Sequence, residues 1–347
     1  MIITILSLIL LGPYWLVLNL RHRRYHSGKK SRASFPMPVV SVGNITVGGT
    51  GKTPMAEYLI ELLSADRRVA VLSRGYRRRT RGFRMVETTS TAEAAGDEPL
   101  QIKRKYPQTL VAVDANRKRG IETLLTLPNP PQAVILDDGF QQLDVRPSHN
   151  LLLISYERPI NRDRLLPFGR LRDLPKRVAD ADAVIFTKCP DWLDEADRER
   201  LRTENKIAPE QPVFFTRMDY GEPKAVFEGV GNNRYIYAKE VILFTGIANP
   251  KPLVASLTDR YEQIWQKHFP DHHYFTRSDL RILWRAARMH PLSVLMTTEK
   301  DAQRLLHNRY VPDAMKERLF YLPVRTAFLT VKEEQAFGEF LSKNQFM

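Results

Sequence analysis

The sequence predicts an α/β fold: a mostly parallel sheet with helices on both faces, joined to a second, smaller α/β domain. Three observations carry that prediction. Short continuous apolar runs, each bounded by turn or polar residues, have the form of strands buried on both faces of a parallel sheet. Between them lie stretches whose apolar residues recur at helical spacing, the alternation that produces an open sheet covered by helices. A chain of 347 residues with 43% apolar content is also long enough for two packed cores, at roughly 100 to 200 residues per domain.

The first element stands outside that alternation. Residues 1–20, MIITILSLILLGPYWLVLNL, carry no charged side chain, and as a helix they would extend about 30 Å, the thickness of a bilayer's hydrocarbon core. Six basic and no acidic side chains follow in RHRRYHSGKKSR. A cleavable signal peptide has basic residues before its apolar run and small residues after it; both are reversed here, so cleavage is not expected. The basic flank predicts a cytoplasm-facing chain, with Tyr14 and Trp15 suited to an interfacial belt. Gly12-Pro13 is expected to interrupt the helix, which leaves open whether it spans the bilayer or lies in one leaflet. A buried core helix is the alternative. Residues 1–35 are assigned as a membrane-associated helix and its basic flank.

The net charge of +14, from 53 basic and 39 acidic residues, calls for an anionic partner. A membrane surface supplies one without nucleic acid. Cys189 is the only cysteine, so no internal disulfide forms and a reduced compartment fits. Beside Pro190, at the end of an apolar run, it reads as a small core residue.

Strands are predicted at 38–44 (PVVSVGN), 68–73 (RVAVLS), 109–115 (TLVAVDA), 133–138 (AVILDD), 150–156 (NLLLISY) and 181–188 (ADAVIFTK), with helices at 55–64, 98–106 and 116–127. The rhythm becomes shorter and less regular around 212–223 and resumes in EVILFTGIANP (240–250) and SVLMTTEKD (293–301). The first domain is placed over 36–218 and the second over 219–347.

The chemistry concentrates where the first strand meets the first helix. Residues Gly43 to Pro54 read GNITVGGTGKTP. Gly51-Lys52-Thr53 closes a phosphate-binding loop of the P-loop NTPase type, and strand, loop and helix in register are the context such a loop needs. The nucleotide-binding candidates run from Thr46 and Val47 through Gly48, Gly49, Thr50 and Gly51 to Lys52 and Thr53. Backbone N–H groups of the glycines, with the helix N-terminus behind them, would cradle phosphate oxygens. Lys52 would reach the β- and γ-phosphates of ATP, and Thr53 would ligate Mg²⁺. The glycine that usually starts the pattern is replaced by Thr46. Asp137 and Asp138 end a strand as adjacent carboxylates, which is costly unless a cation compensates them. They are the metal-side candidates with Thr53.

Three further clusters bear on the phosphate acceptor. LSRGYRRRTRGFR (72–84) holds six arginines and no acid; it is either a solvated loop or a grip on anionic phosphate or headgroups. AGDEP (95–99) puts Asp97 and Glu98 at a helix start, where an N-cap is the alternative to a functional role for Asp97. FPDHHYF (269–275) offers two histidines beside an acid, at a spacing unlike helical zinc pairs.

In this order, GNITVGGTGKTP, SRGY, GDEP, DDGFQ, DHHYF and TEKD behind an apolar, basic-flanked N-terminus resemble the tetraacyldisaccharide 4'-kinase family of lipid A synthesis, across residues 38–301. The resemblance implies transfer of the ATP γ-phosphate to the 4'-hydroxyl of an acylated glucosamine disaccharide 1-phosphate, forming lipid IVA at the cytoplasmic face of the bacterial inner membrane. It implies two α/β/α domains with the catalytic cleft between them, Mg²⁺ as cofactor, and no obligate protein partner. Carried onto this chain, Asp97 becomes the base that takes the sugar hydroxyl proton, His272 its second-domain partner ahead of His273, and Lys52 the phosphate lysine. Arg74, Tyr76, Glu98, Arg117 and Gln141 line the substrate and phosphate side. One departure stands out: the family usually reads DDGFQH, whereas this chain has Gln142. The competing reading is a membrane-associated nucleotide switch of the partitioning or metal-chaperone type. Val47 weighs against it, because partitioning proteins carry a lysine there. A kinase for a soluble sugar would leave residues 1–20 unexplained.

Overall fold

The computed structural model describes residues 2–247 and 249–343, with residues 2–11 described by backbone alone. Helix α1 (Ile2–His26) runs unbroken through Pro13, so the expected interruption at Gly12-Pro13 is corrected. One proline removes a single backbone hydrogen bond, and the Leu- and Ile-rich turns on either side carry the helix past it. Most of the expected anchor's side chains lie outside the described residues. Among those described, no helix is long and apolar enough to cross a membrane. The second half of α1 docks on the body through Leu18, Asn19 and His22, all buried. His22 Nε2 sits 2.7 Å from Asp173 Oδ1.

The first sheet takes β1 (Val39–Gly43), β2 (Val69–Ser73), β3 (Arg84–Met85), β4 (Leu110–Val113), β5 (Ala133–Asp137), β6 (His149–Ser155), β7 (Ala183–Thr187) and β8 (Val213–Tyr220). The second takes β9 (Lys224–Ala225), β10 (Glu240–Thr245), β11 (Gln263–His268), β12 (Val294–Thr298) and β13 (Leu319–Leu322). The chain then returns to the first sheet as β14 (Val324–Phe328). The strand orders are β14-β8-β7-β6-β1-β5-β2-β4-β3 and β11-β10-β12-β13-β9. Pairing is parallel except where the short or late strands β3, β9 and β14 join. Helices α2 (Lys52–Leu63), α3 (Ala92–Ala95), α4 (Asp97–Lys105), α5 (Arg117–Leu125) and α6 (Glu195–Glu204) belong to the first unit; α7 (Lys251–Thr258), α8 (Arg277–Met289), α9 (Glu299–Leu305) and α10 (Asp313–Lys316) belong to the second. Helix α11 (Val331–Lys343) follows β14.

Every residue of β1, β2, β5 and β7 is buried, as their continuous apolar runs require. Alternate residues feed the two faces. Val40, Val42 and Ile135 pack with Met55 and Leu59 of α2 on one side, and Val39, Val134 and Leu136 pack with Ile121 and Leu124 of α5 on the other. The register Val42↔Asp137 sets the end of β1, where the glycine-rich loop leaves, beside the end of β5. That edge is where parallel α/β sheets bind ligands.

Two expectations about the second half are corrected. The stretch over 212–223 forms a regular eight-residue strand, β8. Residues 324–343, assigned from sequence to the second domain, complete the first: β14 pairs antiparallel with β8, and Phe328, Phe337 and Leu341 enter its core with Phe214. The apolar face of α11 has no other sheet to cover.

Candidate active site

The loop after β1 is built to leave its amides free. Gly51 caps α2 at φ 80° and Gly48 sits at φ 110°, left-handed conformations that glycine adopts without strain. A Cβ added at Gly48 or Gly49 would meet nothing within 4 Å, so the loop faces open space. The loop is braced from behind. Asn44 Nδ2 donates to Thr50 Oγ1 at 2.6 Å, Thr187 Oγ1 donates to the Thr50 carbonyl at 2.9 Å, and Lys188 Nζ donates to the Gly49 carbonyl at 2.7 Å. Thr46 forms a bridge with Leu171, and Val47 N–H donates to the Arg170 carbonyl at 2.7 Å. The start of the loop is thus an extended bridge, not a left-handed turn, and glycine is not needed at position 46. Thr46 and Val47 are structural braces here; the open amides begin at Gly48.

Asp137 and Asp138 are brought to this loop and treated differently. Asp137 is fully buried, accepts from Ser73 Oγ at 3.1 Å, and has its Oδ1 without a partner. Burial, reinforced by the charges of Glu98 and Asp138, pushes its pKa up to about 6. Asp138 lies 3.8 Å from Lys52 Nζ and takes both guanidinium arms of Arg172. Burial would raise its pKa, but Lys52 and Arg172 outweigh it and lower it. An orphaned buried carboxylate oxygen within electrostatic reach of Lys52, at the start of α2, is a hard donor suited to Mg²⁺. Among the described residues no three His, Cys, Asp or Glu side chains could hold a metal ion together, so phosphate oxygens would complete the coordination, the usual Mg²⁺ pattern.

Asp97 opens α4 as its first helical residue, and the residue before it, Gly96, occupies the cap position. The N-cap alternative is therefore corrected: the carboxylate reaches across to the second domain. Its Oδ2 accepts from Arg304 Nε at 2.9 Å and Nη2 at 2.7 Å, with His272 Nδ1 at 3.3 Å. Oδ1 has no hydrogen-bond partner among the described residues. Lys300 Nζ lies 3.1 Å from His272 Nε2 and donates to Glu98 Oε1 at 2.9 Å, while Arg304 Nη2 lies 3.3 Å from His272 Nδ1, so a cation faces each ring nitrogen. Burial would raise the Asp97 pKa, but the His272 hydrogen bond and the Arg304 guanidinium hold it at about 2. His272 itself is strained at φ 61° and fixed by a bond from its N–H to the Gly246 carbonyl. His273 is turned away, stacked on Phe269 and bonded to Asp279.

The remaining candidates separate. Tyr76 is exposed with its ring 5.3 Å from that of His272, and Arg74 is exposed nearby in sequence. Glu98, on α4, accepts from Lys300 Nζ of α9 across the cleft. Arg117 is corrected: it is wholly buried and donates to the backbone carbonyls of Asp114 and Asp137, bracing two strand ends from beneath. Gln141 offers its carbonyl to Arg21 of α1 and its amide to the Arg172 carbonyl. Gln142 N–H closes the turn on the Gly139 carbonyl.

Lys300 and Arg304 were not predicted. They lie one turn apart on α9, and the only signal was TEKD, a motif that gives no hint of which side chains cross the cleft. Lys105 of α4 adds a second crossing, to Glu57 of α2 at 2.6 Å and Glu299 of α9 at 3.3 Å. The glycines of SRGY and GDEP have a shared cause: a Cβ on Gly96 (φ 93°) would lie 3.2 Å from the Gly75 backbone, so the two loops touch through bare backbone.

Comparison with known proteins adds to this geometry. The sequence profile described as tetraacyldisaccharide-1-P 4'-kinase matches residues 3–345. A tetraacyldisaccharide 4'-kinase from Parabacteroides distasonis is 41% identical over 318 residues, covering 89% of this chain and 86% of its own. One from Porphyromonas gingivalis is 40% identical over 329 residues, covering 92% of both. The crystal structure of LpxK from Aquifex aeolicus in complex with ATP superposes with a TM-score of 0.73 at 28% identity, covering 98% of this chain and 99% of that one.

Proposed function

This chain belongs to the tetraacyldisaccharide 4'-kinase family, and from that premise we infer how its residues divide the work. It is an ATP-dependent kinase that transfers the γ-phosphate to the 4'-hydroxyl of a tetraacylated glucosamine disaccharide 1-phosphate, forming lipid IVA in lipid A synthesis. Membership in a kinase family decides against the nucleotide-switch alternative.

The amides from Gly48 to Thr53 and the Lys52 ammonium hold the triphosphate. Thr53 and Asp137 would hold Mg²⁺, with Asp138 acting through water because Lys52 and Arg172 already engage it; the ion supplies charge neutralisation at the β- and γ-phosphates when bound. Asp97 Oδ1 takes the proton of the 4'-hydroxyl as that oxygen bonds to the γ-phosphorus and ADP leaves. His272 and Arg304 anchor Oδ2 so that Oδ1 faces the acceptor. Arg74, Tyr76 and Glu98 would meet the sugar and its phosphate.

One observation carries this reading: a carboxylate at the helix start of the nucleotide domain is fixed through one oxygen by the second domain, while its other oxygen has no hydrogen-bond partner among the described residues. The partners are the lipid disaccharide and the membrane surface in which its acyl chains sit, at the cytoplasmic face of the bacterial inner membrane, with neither nucleic acid nor an obligate protein required. Incubation of the purified protein with labelled ATP and a lipid disaccharide 1-phosphate, followed by chromatography, tests it. A labelled lipid is expected; its absence would overturn the reading.

A further inference from the structure

We propose that helix α8 of the second domain carries a membrane-contact surface separate from α1, in which a row of arginines binds the anionic headgroups of the bilayer. The inference rests on the reading that the enzyme meets its substrate at a membrane.

The surface begins with a helix whose orientation is fixed. Thr276 and Asp279 form a reciprocal capping box at its start, and Leu280, Leu283 and Ala287 pack into the core of the second domain. At 100° per residue those three positions define the inner face, and the outer face then carries Arg277, Arg281, Arg285 and Arg288 within an arc of about 80°. All four are exposed, and none makes a hydrogen bond or ion pair with any described residue. Other surface cations of the same domain do have acidic neighbours, as Lys239 with Glu262, Arg260 with Glu222 and Lys316 with Asp313, whereas all four arginines on this one face lack them. Cations spaced four apart on a helix repel one another, so this row weakens the free protein unless an anion meets it.

Apolar side chains lie along the same face. Ile282 is 53% exposed and Met289 70%, and Leu292 just beyond the helix is 77% exposed. At the C-terminal end Trp265 of the edge strand β11 is half exposed, its ring 4.9 Å from that of His290. A basic row flanked by an apolar row matches a lipid interface, where headgroup phosphates take the charges and the acyl boundary takes the apolar groups. A nucleic acid would use the arginines but leave the aliphatic side chains against sugar and phosphate.

The test uses the full chain and sedimentation with vesicles of phosphatidylcholine, with and without phosphatidylglycerol. The triple variant R281Q/R285Q/R288Q is expected to lose on the order of tenfold to hundredfold in partition onto the phosphatidylglycerol vesicles and to bind phosphatidylcholine vesicles as the parent does. The pair I282S/M289S is expected to weaken binding to both. Unchanged partition of the triple variant onto anionic vesicles overturns the proposal, as does a matching loss of binding to duplex DNA, which would make the row a general polyanion site. Phosphorylation of detergent-solubilised lipid substrate is expected to be the same in parent and triple variant. A parent inactive in detergent would undo the kinase reading and leave the vesicle result standing.

Discussion

Replacing Asp97 by asparagine isolates the proposed proton-accepting oxygen from everything else the side chain does. The shape is conserved, and the amide oxygen can occupy the Oδ2 position and still accept from Arg304 Nε and Nη2. The amide nitrogen then falls at the Oδ1 position, where it cannot take a proton. General-base help is worth about 10²- to 10⁴-fold, or about 3 to 5 kcal/mol of barrier. Exchanging a charged acceptor for a neutral one weakens the bonds from Arg304, at a cost of up to about 1.5 to 3 kcal/mol of folding stability, leaving a folded protein. Asp97 makes no hydrogen bond or ion pair with the loop over 46–53, so ATP binding has no reason to change. Steady-state kinetics with labelled ATP and the lipid acceptor should therefore show kcat reduced by about 10²- to 10⁴-fold with KM for ATP within about twofold of the parent. Should kcat hold while KM for ATP rises by a comparable factor, Asp97 is a binding residue and the base assignment fails.

Three other outcomes follow from the same geometry. Lys52→Met removes the cation facing both Asp138 and the triphosphate, and kcat/KM for ATP should fall by about 10²-fold or more while the far-ultraviolet circular dichroism stays that of the parent. Gly96→Ala forces a Cβ to within 3.2 Å of the Gly75 backbone at a left-handed φ; a loss of about 1 to 3 kcal/mol is expected in urea unfolding, with kcat falling because Asp97 is the next residue. The Asp97 carboxyl is depressed from an ordinary 3.8 to about 2 by folding. Its stabilisation is therefore complete above about pH 4 and disappears as the pH falls from about 4 toward 2, and unfolding curves over that range should lose this share of their pH dependence in Asp97→Asn.

How far the sequence revealed the site depended on how local each part was. The phosphate loop is twelve consecutive residues between a strand and a helix, so glycine placement and Lys52-Thr53 announce it directly. Asp137 and Asp138 are legible for the same reason, as acids at the end of an apolar run. Arg304 is different: it lies 207 positions from Asp97, and nothing in TEKDAQRL separates an arginine that crosses a cleft from one that caps a surface helix. Arg117 misled in the opposite direction, because the family resemblance assigned it to the substrate and phosphate side, while its burial follows from backbone carbonyls that only the folded strand ends present. The return of β14 to the first sheet was hidden because the pairing partner of Val324 is Tyr220, across the whole second sheet.

That return bears on how the protein is made. During synthesis the strand β8, with Phe214 and Phe215 on it, emerges before any residue of its outer neighbour exists. The edge is covered only when residues 324–343 leave the ribosome, after all of β9 to β13 has been translated. Until then the nucleotide domain keeps an open strand edge and lacks the aromatic plug of Phe328 and Phe337, surfaces that favour wrong pairings in partly made chains. The second sheet, continuous in sequence, has all its strands available earlier, so the part of the chain that begins first is the part that finishes last.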